Sequence, residues 1–315
     1  MNQYKKLIVF VAITLASCQS AMSIPSSFEN VSSNFTNSSS SLSSDSVVNE
    51  QNVIYGFHER HTLDISYSSQ LNEDATAILL IHGGSWIGGD KSSMLKYRQS
   101  VIENGYVYIA MNYRLISNQS TYLDMLEDLD LAIRYIKNQT TNMPIDKNQI
   151  VLIGESAGAH LAMLYSYRNT SPIPIRFLLA LVPPVDFTDP NYINFGNPTN
   201  QLFLANQLMQ TTVTSPNELI EKGYPQSWFD ASPIHHLDGA IPTLMAYGAF
   251  DELIPQSNYE RFLAKVDELE APIEAIRFPN SGHALDNDPL ILNDLFSLFY
   301  QRIPNDNTSI ISFDN

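Results

Sequence analysis

Apolar runs closed by glycine, proline or polar clusters punctuate the chain from residue 76 onward. Residues 76–81 (TAILLI), 149–152 leading into Ile153, 177–182 (FLLALV) and 242–247 (PTLMAY) are nearly continuous. Short unbroken runs of this kind predict strands buried on both faces, as in a parallel sheet. Residues 273–278 alternate instead, and 53–58 with 62–67 predict an antiparallel hairpin at a sheet edge. Between the strands the period changes to 3.6. Tyr122, Leu126, Leu129, Ile133 and Ile136 form one stripe over residues 121–138, and Tyr259, Phe262, Leu263, Val266 and Leu269 form another. These stripes predict core-facing helices with no cofactor box. The fold class is therefore α/β, with a mostly parallel twisted sheet covered by helices on both faces. Residues 185–232 break the alternation. They are rich in Asn, Pro, Gln and Tyr, with helical patches at 201–209 and 217–222. An insertion after a strand predicts a small cap above the strand ends, with Trp86, Tyr224, Trp228 and Phe229 as candidates to line an apolar pocket, each of them equally readable as a core residue.

The N-terminus has a different character. Lys5 and Lys6 precede an apolar run of about ten residues, too short to span a bilayer and shaped like a signal peptide. The run ends in Leu15-Ala16-Ser17-Cys18, which resembles a bacterial lipobox, and Cys18 is the single cysteine. Residues 1–17 are thus expected to be a lipoprotein-type signal peptide, with Cys18 lipidated. Gln19 in the next position would, by that resemblance, direct the chain to the outer membrane. An ordinary secretory signal cleaved near Ala21 or Ser23 is the other reading, and would leave the protein periplasmic or secreted. From 20 to 46 nearly half the residues are serine, so 18–48 is expected to be a flexible tether that buries too little apolar surface to fold. Residues 49–304 are expected to form one catalytic domain, and 305–315 a tail.

The chemistry concentrates at the strand ends. The run ending at Leu152 leads into Ile153-Gly154-Glu155-Ser156-Ala157-Gly158, and a helix is predicted over 157–167. Small residues on both sides allow Ser156 to occupy a sharp turn with its hydroxyl exposed, at a helix N-terminus that favours negative charge. The strand at 76–81 ends in His82-Gly83-Gly84-Ser85-Trp86. Glycine amides there, with that of Ala157, can form an oxyanion hole. After 242–247 comes Gly248-Ala249-Phe250-Asp251-Glu252, and after 273–278 comes Pro279-Asn280-Ser281-Gly282-His283. Asp251 is the expected acid, Glu252 its alternative, and His283 the base. Nucleophile, acid and histidine in that chain order are expected of an α/β-hydrolase. His160 is read as a packing residue and His82 as a residue that orders its loop. His235-His236 with Asp238 lack the spacing of a metal site, and His58 and His61 have no evident partner.

These motifs together resemble the HGG-type carboxylesterase group of α/β-hydrolase serine esterases. The resemblance is nearest to the feruloyl- or acetyl-esterase-like branch, with the hormone-sensitive-lipase group more distant. It is carried by residues 82–91 (HGGSWIGGDK), 105–115 (GYVYIAMNYRL), 154–161 (GESAGAHL), 248–255 (GAFDELIP) and 281–283 (SGH). It implies Ser156 as nucleophile, Asp251 as acid, His283 as base, and Gly83, Gly84 and Ala157 as oxyanion donors. The implied reaction is serine-dependent hydrolysis of short-chain or carbohydrate-linked carboxylic esters, without cofactor. Ser85 departs from the group, where many members carry a third glycine.

Arylformamidase is the nearest rival, because its relatives share the HGG-x-W loop and a similar serine turn. A peptidase is the less expected reading, since no β-propeller precedes the hydrolase segment in this sequence. A catalytically dead, surface-tethered binding module is the reading from outside enzymology. Net charge is −16, more acidic still without the two leader lysines. This argues against nucleic acid and against broad electrostatic docking on anionic lipid. The expected partner is a small neutral ester, and membrane contact is expected only through the N-terminal lipid.

Overall fold

In the computed structural model, residues 47–71, 74–138, 143–168 and 170–303 are described. The leader with Cys18, most of the 18–48 stretch and the tail from 305 lie outside them.

Among the described residues eight strands form one sheet: β1 (Val47–Ile54), β2 (Thr62–Ser68), β3 (Ala75–Ile81), β4 (Val107–Met111), β5 (Ile145–Glu155), β6 (Ile175–Leu181), β7 (Thr243–Gly248) and β8 (Ile273–Phe278). Their order is β1-β2-β4-β3-β5-β6-β7-β8. β1 and β2 run antiparallel at one edge, and β3 to β8 are parallel. Among the described residues there are nine α-helices, eight between strands and one after β8: α1 (Arg98–Glu103), α2 (Tyr122–Asn138), α3 (Ala157–Tyr167), α4 (Pro190–Asn194), α5 (Pro198–Met209), α6 (Pro216–Lys222), α7 (Gln226–Asp230), α8 (Gln256–Leu269) and α9 (Pro289–Arg302). This is the mostly parallel, helix-covered sheet expected from the strand pattern.

Successive residues of the central strands point to opposite faces, so an unbroken apolar run fills two cores at once. On one face Leu79, Ile109 and Leu152 meet Leu129, Ile133 and Leu161 of α2 and α3. On the other, Ile78, Leu80, Ile153 and Leu179 meet Val101, Leu295 and Phe299 of α1 and α9. The stripe on α2 is buried along its length. On α8, Tyr259, Phe262 and Val266 are buried, whereas Leu269 is exposed at the helix end.

Two expectations change. β1 starts at Val47, so the folded domain begins inside the stretch read as tether. Its polar positions 49–52 face solvent on an edge strand, where polar residues suit a strand exposed on one side. β5 starts at Ile145, four residues earlier than its apolar run. The 185–232 insertion forms α4 to α7. Phe187, Tyr192, Leu202, Leu208 and Trp228 join the core that contains Leu129 and Leu161.

Candidate active site

The turn between β5 and α3 is shaped by close backbone approaches. A β-carbon on Gly158 would lie 2.2 Å from the Ile81 carbonyl oxygen, and one on Gly154 would lie 2.5 Å from the Ala159 Cα. Only glycine fits either place. Ser156 itself has φ 50° and ψ −117°, a left-handed conformation that costs a non-glycine residue about 1–3 kcal/mol. The Ser156 N–H donates to the Leu181 carbonyl at 2.8 Å, and its carbonyl accepts from the His160 N–H at 3.0 Å. Both bonds hold the turn, and α3 directs its N-terminal dipole at the serine.

Three loops at the C-terminal ends of β5, β7 and β8 converge. Ser156 Oγ lies 2.9 Å from His283 Nε2, and His283 Nδ1 lies 3.0 and 2.9 Å from Asp251 Oδ1 and Oδ2. A carboxylate only accepts, so Nδ1 carries the proton and Nε2 is free to accept from the serine hydroxyl. Asp251 is itself positioned: Oδ1 accepts from the Leu253 and Ile254 N–H groups, both at 2.9 Å, and Oδ2 accepts from the Tyr259 hydroxyl at 2.8 Å. Burial opposes charge on Asp251, but His283 and these two amides outweigh it and hold its pKa below the ordinary value. Burial also opposes charge on His283. Asp251, with Glu252 and Glu155, outweighs it and raises the His283 pKa above 6.5.

Glu252, the alternative acid, has a different task. Its Oε2 accepts from the His283 backbone N–H at 3.1 Å, holding the loop rather than the imidazole. Glu155 accepts from the Tyr97 hydroxyl and pairs with Lys96 Nζ at 2.6 Å.

The loop after β3 lies against the serine turn. A β-carbon on Gly83 would lie 3.2 Å from Ser156 Cβ. Among the described backbone bonds outside helices and strands, neither the Gly83 nor the Gly84 N–H is a donor. The Ala157 N–H, at the first position of α3, has no partner within the helix. The three amides assigned to an oxyanion hole are therefore not committed to these bonds. Ser85 and Trp86 both have positive φ, so the serine that replaces a third glycine adopts the conformation a glycine would take.

The remaining histidines resolve into structural roles. The Trp86 indole N–H donates to His160 Nδ1 at 3.2 Å, so His160 Nε2 carries the proton and donates to the Ala231 carbonyl at 2.8 Å. Burial pushes its pKa down to about 4, and it stays neutral. His61, expected to lack a partner, has one: its Nε2–H donates to the wholly buried Asp128 at 2.8 Å, and its Nδ1 accepts from the His58 N–H. Two of the four aromatic candidates take the core reading. Trp86 and Trp228 are buried, Trp228 donating to Thr211 Oγ1 at 3.1 Å. Phe229 borders a cavity with Gln226, Asp230, His235 and His236 whose lining contains none of Ser156, Asp251 and His283.

Sequence reasoning missed Tyr259 and Arg60. Tyr259 counted only as an apolar stripe position, although its hydroxyl reaches Asp251. Arg60 carried no signal, because its partners lie at residues 82, 89, 112 and 113.

Comparison with known proteins finds ester hydrolases among the relatives and structural neighbours. A probable carboxylic ester hydrolase, LipM, of Mycobacterium tuberculosis is 27% identical over 250 residues, covering 74% of this chain and 56% of that protein. The chain thus spans about half the length of that relative. Among solved structures, esterase B from Lactobacillus rhamnosis superposes with TM-score 0.68 at 16% identity, covering 96% of this chain and 98% of that one. A bacterial heroin esterase gives TM-score 0.68 at 20% identity, covering 84% and 87%. Residues 63–266 match the BD-FAE model, and the chain belongs to the BD-FAE family.

Proposed function

We propose that this protein is a serine carboxylic-ester hydrolase acting on short-chain or carbohydrate-linked esters through an acyl-enzyme. The observation that carries the reading is the chain of hydrogen bonds from Ser156 through His283 to Asp251, placed at the N-terminus of α3. LipM, named as a probable carboxylic ester hydrolase, supports it.

In this reading His283 Nε2 takes the hydroxyl proton as Ser156 Oγ attacks the ester carbonyl carbon. Asp251 holds the ring in the Nδ1–H tautomer and stabilises the imidazolium that forms. The Gly83, Gly84 and Ala157 amides donate to the oxyanion, each worth about 3–4 kcal/mol of barrier. His283 then protonates the leaving alcohol, and the acyl group stays on Ser156. Water, deprotonated by the same nitrogen, attacks that carbonyl, and collapse returns the acid and free serine. The acidic chain favours neutral esters over anionic ones. Export, with lipid on Cys18, belongs to the same proposal and rests on the leader sequence.

The test is hydrolysis of p-nitrophenyl esters from acetate to laurate, with Ser156→Ala as control. The reading expects turnover that is greatest on the short acyl chains, reduced by about 10⁴-fold or more in the variant. Equal rates in both proteins would overturn it. Serine-dependent turnover of formamides in preference to esters would replace it with the arylformamidase reading.

A further inference from the structure

The hairpin loop between β1 and β2 sends one side chain into the back of the loop after β3. Arg60 Nε donates to the Tyr113 carbonyl at 2.7 Å, and its Nη2 donates to the Gly89 carbonyl at 3.0 Å. The same Nη2 lies 3.2 Å from His82 Nε2 and 3.5 Å from Asn112 Oδ1. A guanidinium has only donors, so His82 Nε2 must accept. On the other side of the ring, His82 Nδ1 lies 2.6 Å from the Gly83 carbonyl oxygen, which can only accept. Both contacts independently require the same state, a neutral imidazole with its proton on Nδ1. The ring plane is fixed as well. It stacks on Tyr113 at 4.4 Å and 16°, while the Tyr113 hydroxyl donates to the His82 carbonyl at 2.8 Å. Burial holds the His82 pKa at about 4, so the ring stays neutral throughout the physiological range.

The consequence lies in the next peptide group. The Gly83 carbonyl and the Gly84 N–H share one trans peptide plane and point in opposite directions. Fixing the carbonyl toward His82 therefore fixes the N–H away from it. Gly89 closes the space behind: a β-carbon there would lie 2.2 Å from the Gly83 oxygen.

From this geometry we infer that Arg60 is a positioning residue for catalysis: by dictating the His82 tautomer it orients the Gly83–Gly84 peptide, so that the Gly84 amide is pre-aimed at the oxyanion. The inference rests on the ester-hydrolase reading above. It gives the antiparallel edge hairpin a part in the reaction, although none of its residues touches the reacting atoms.

Arg60→Met keeps the aliphatic stem and removes every donor. Hydrolysis of p-nitrophenyl acetate by the full domain should lose about 10- to 100-fold in kcat, less than complete loss of a donor, with KM within about twofold. The pH at which kcat/KM rises should stay put, because the Ser156–His283–Asp251 chain is untouched. Arg60→Lys, which can still donate to Nε2, should recover part of the rate and guards against a variant that fails to fold. The second readout is independent of turnover. In ¹⁵N-histidine spectra, His82 should be protonated at Nδ1 and bare at Nε2, and its Nε2 resonance should move in Arg60→Met. An unchanged kcat in a folded Arg60→Met, or a parent His82 protonated at Nε2, overturns the inference. A parent without Ser156-dependent hydrolysis overturns the functional reading instead, and the His82 resonances then decide the tautomer assignment.

Discussion

Replacing Asp251 by asparagine changes one atom and should reverse the direction of a hydrogen-bond chain. In the native site Oδ1 accepts from the Leu253 and Ile254 amides, and Oδ2 accepts from the Tyr259 hydroxyl. An asparagine must present its carbonyl oxygen to the two backbone donors, because an amide NH₂ there would face two N–H groups. Its NH₂ then occupies the Oδ2 position, beside Tyr259, which can turn its hydroxyl to accept. The NH₂ also faces His283 Nδ1, 2.9 Å from that position in the native site. An NH₂ donates, so Nδ1 becomes the acceptor and the ring proton moves to Nε2. That nitrogen then meets Ser156 Oγ as a donor and cannot take its proton. A wrong-tautomer asparagine in a serine-protease triad costs about 10⁴-fold in kcat, equivalent to about 5.4 kcal/mol of barrier. The same loss is expected here, with a melting temperature near that of the parent, since shape and volume are kept. The assay is p-nitrophenyl acetate turnover at saturating substrate, with Glu252→Gln alongside. A kcat within tenfold of the parent in Asp251→Asn would refute the reasoning. If Glu252→Gln were the dead variant instead, the acid would be Glu252.

Three further outcomes follow from the same contacts. His283 must be neutral to accept the serine proton, and its pKa is raised, so the acidic limb of kcat/KM should be centred above 6.5 and move down in Glu252→Gln. A limb at or below 6.5 in the parent, or one unmoved by the variant, contradicts this. Gly158→Ala drives a methyl group to 2.2 Å from the Ile81 carbonyl. It should destabilise the fold by about 1–3 kcal/mol or more in denaturant unfolding and displace Ser156 from His283. Asp128→Ala removes a wholly buried carboxylate to which Arg114 and His61 donate at 2.6–2.8 Å; it leaves His61 Nε2 without its acceptor, while Arg114 keeps Asp124 and Glu127. A loss of about 1–3 kcal/mol is expected, and a thermal melt unchanged from the parent would contradict it.

How much was legible from the residues depends on the range of the physics. The serine turn was readable because strand, glycine and helix are neighbours in sequence, and α3 has the predicted bounds 157–167. Asp251 and His283 were expected there because each lies in a loop directly after a strand, in chain order after the serine. The start of β1 was not, since an edge strand with exposed positions 49–52 has the polarity of a tether. Trp86 and Trp228 were left between pocket and core, because an aromatic residue in a loop looks the same in either role until burial decides it. Asp128 hides inside a helical stripe, between Leu126 and Leu129, and only the fold brings Arg114 and His61 to it. Arg60 is the extreme case: its contacts span 22 to 53 residues, and no periodicity encodes them.

The most direct measurement is mass spectrometry of the folded protein after incubation with a fluorophosphonate, followed by peptide mapping. The account predicts a single phosphonyl adduct on Ser156, absent in Ser156→Ala and strongly slowed in His283→Ala. An unmodified Ser156 in folded protein, or an adduct on another residue, would contradict it.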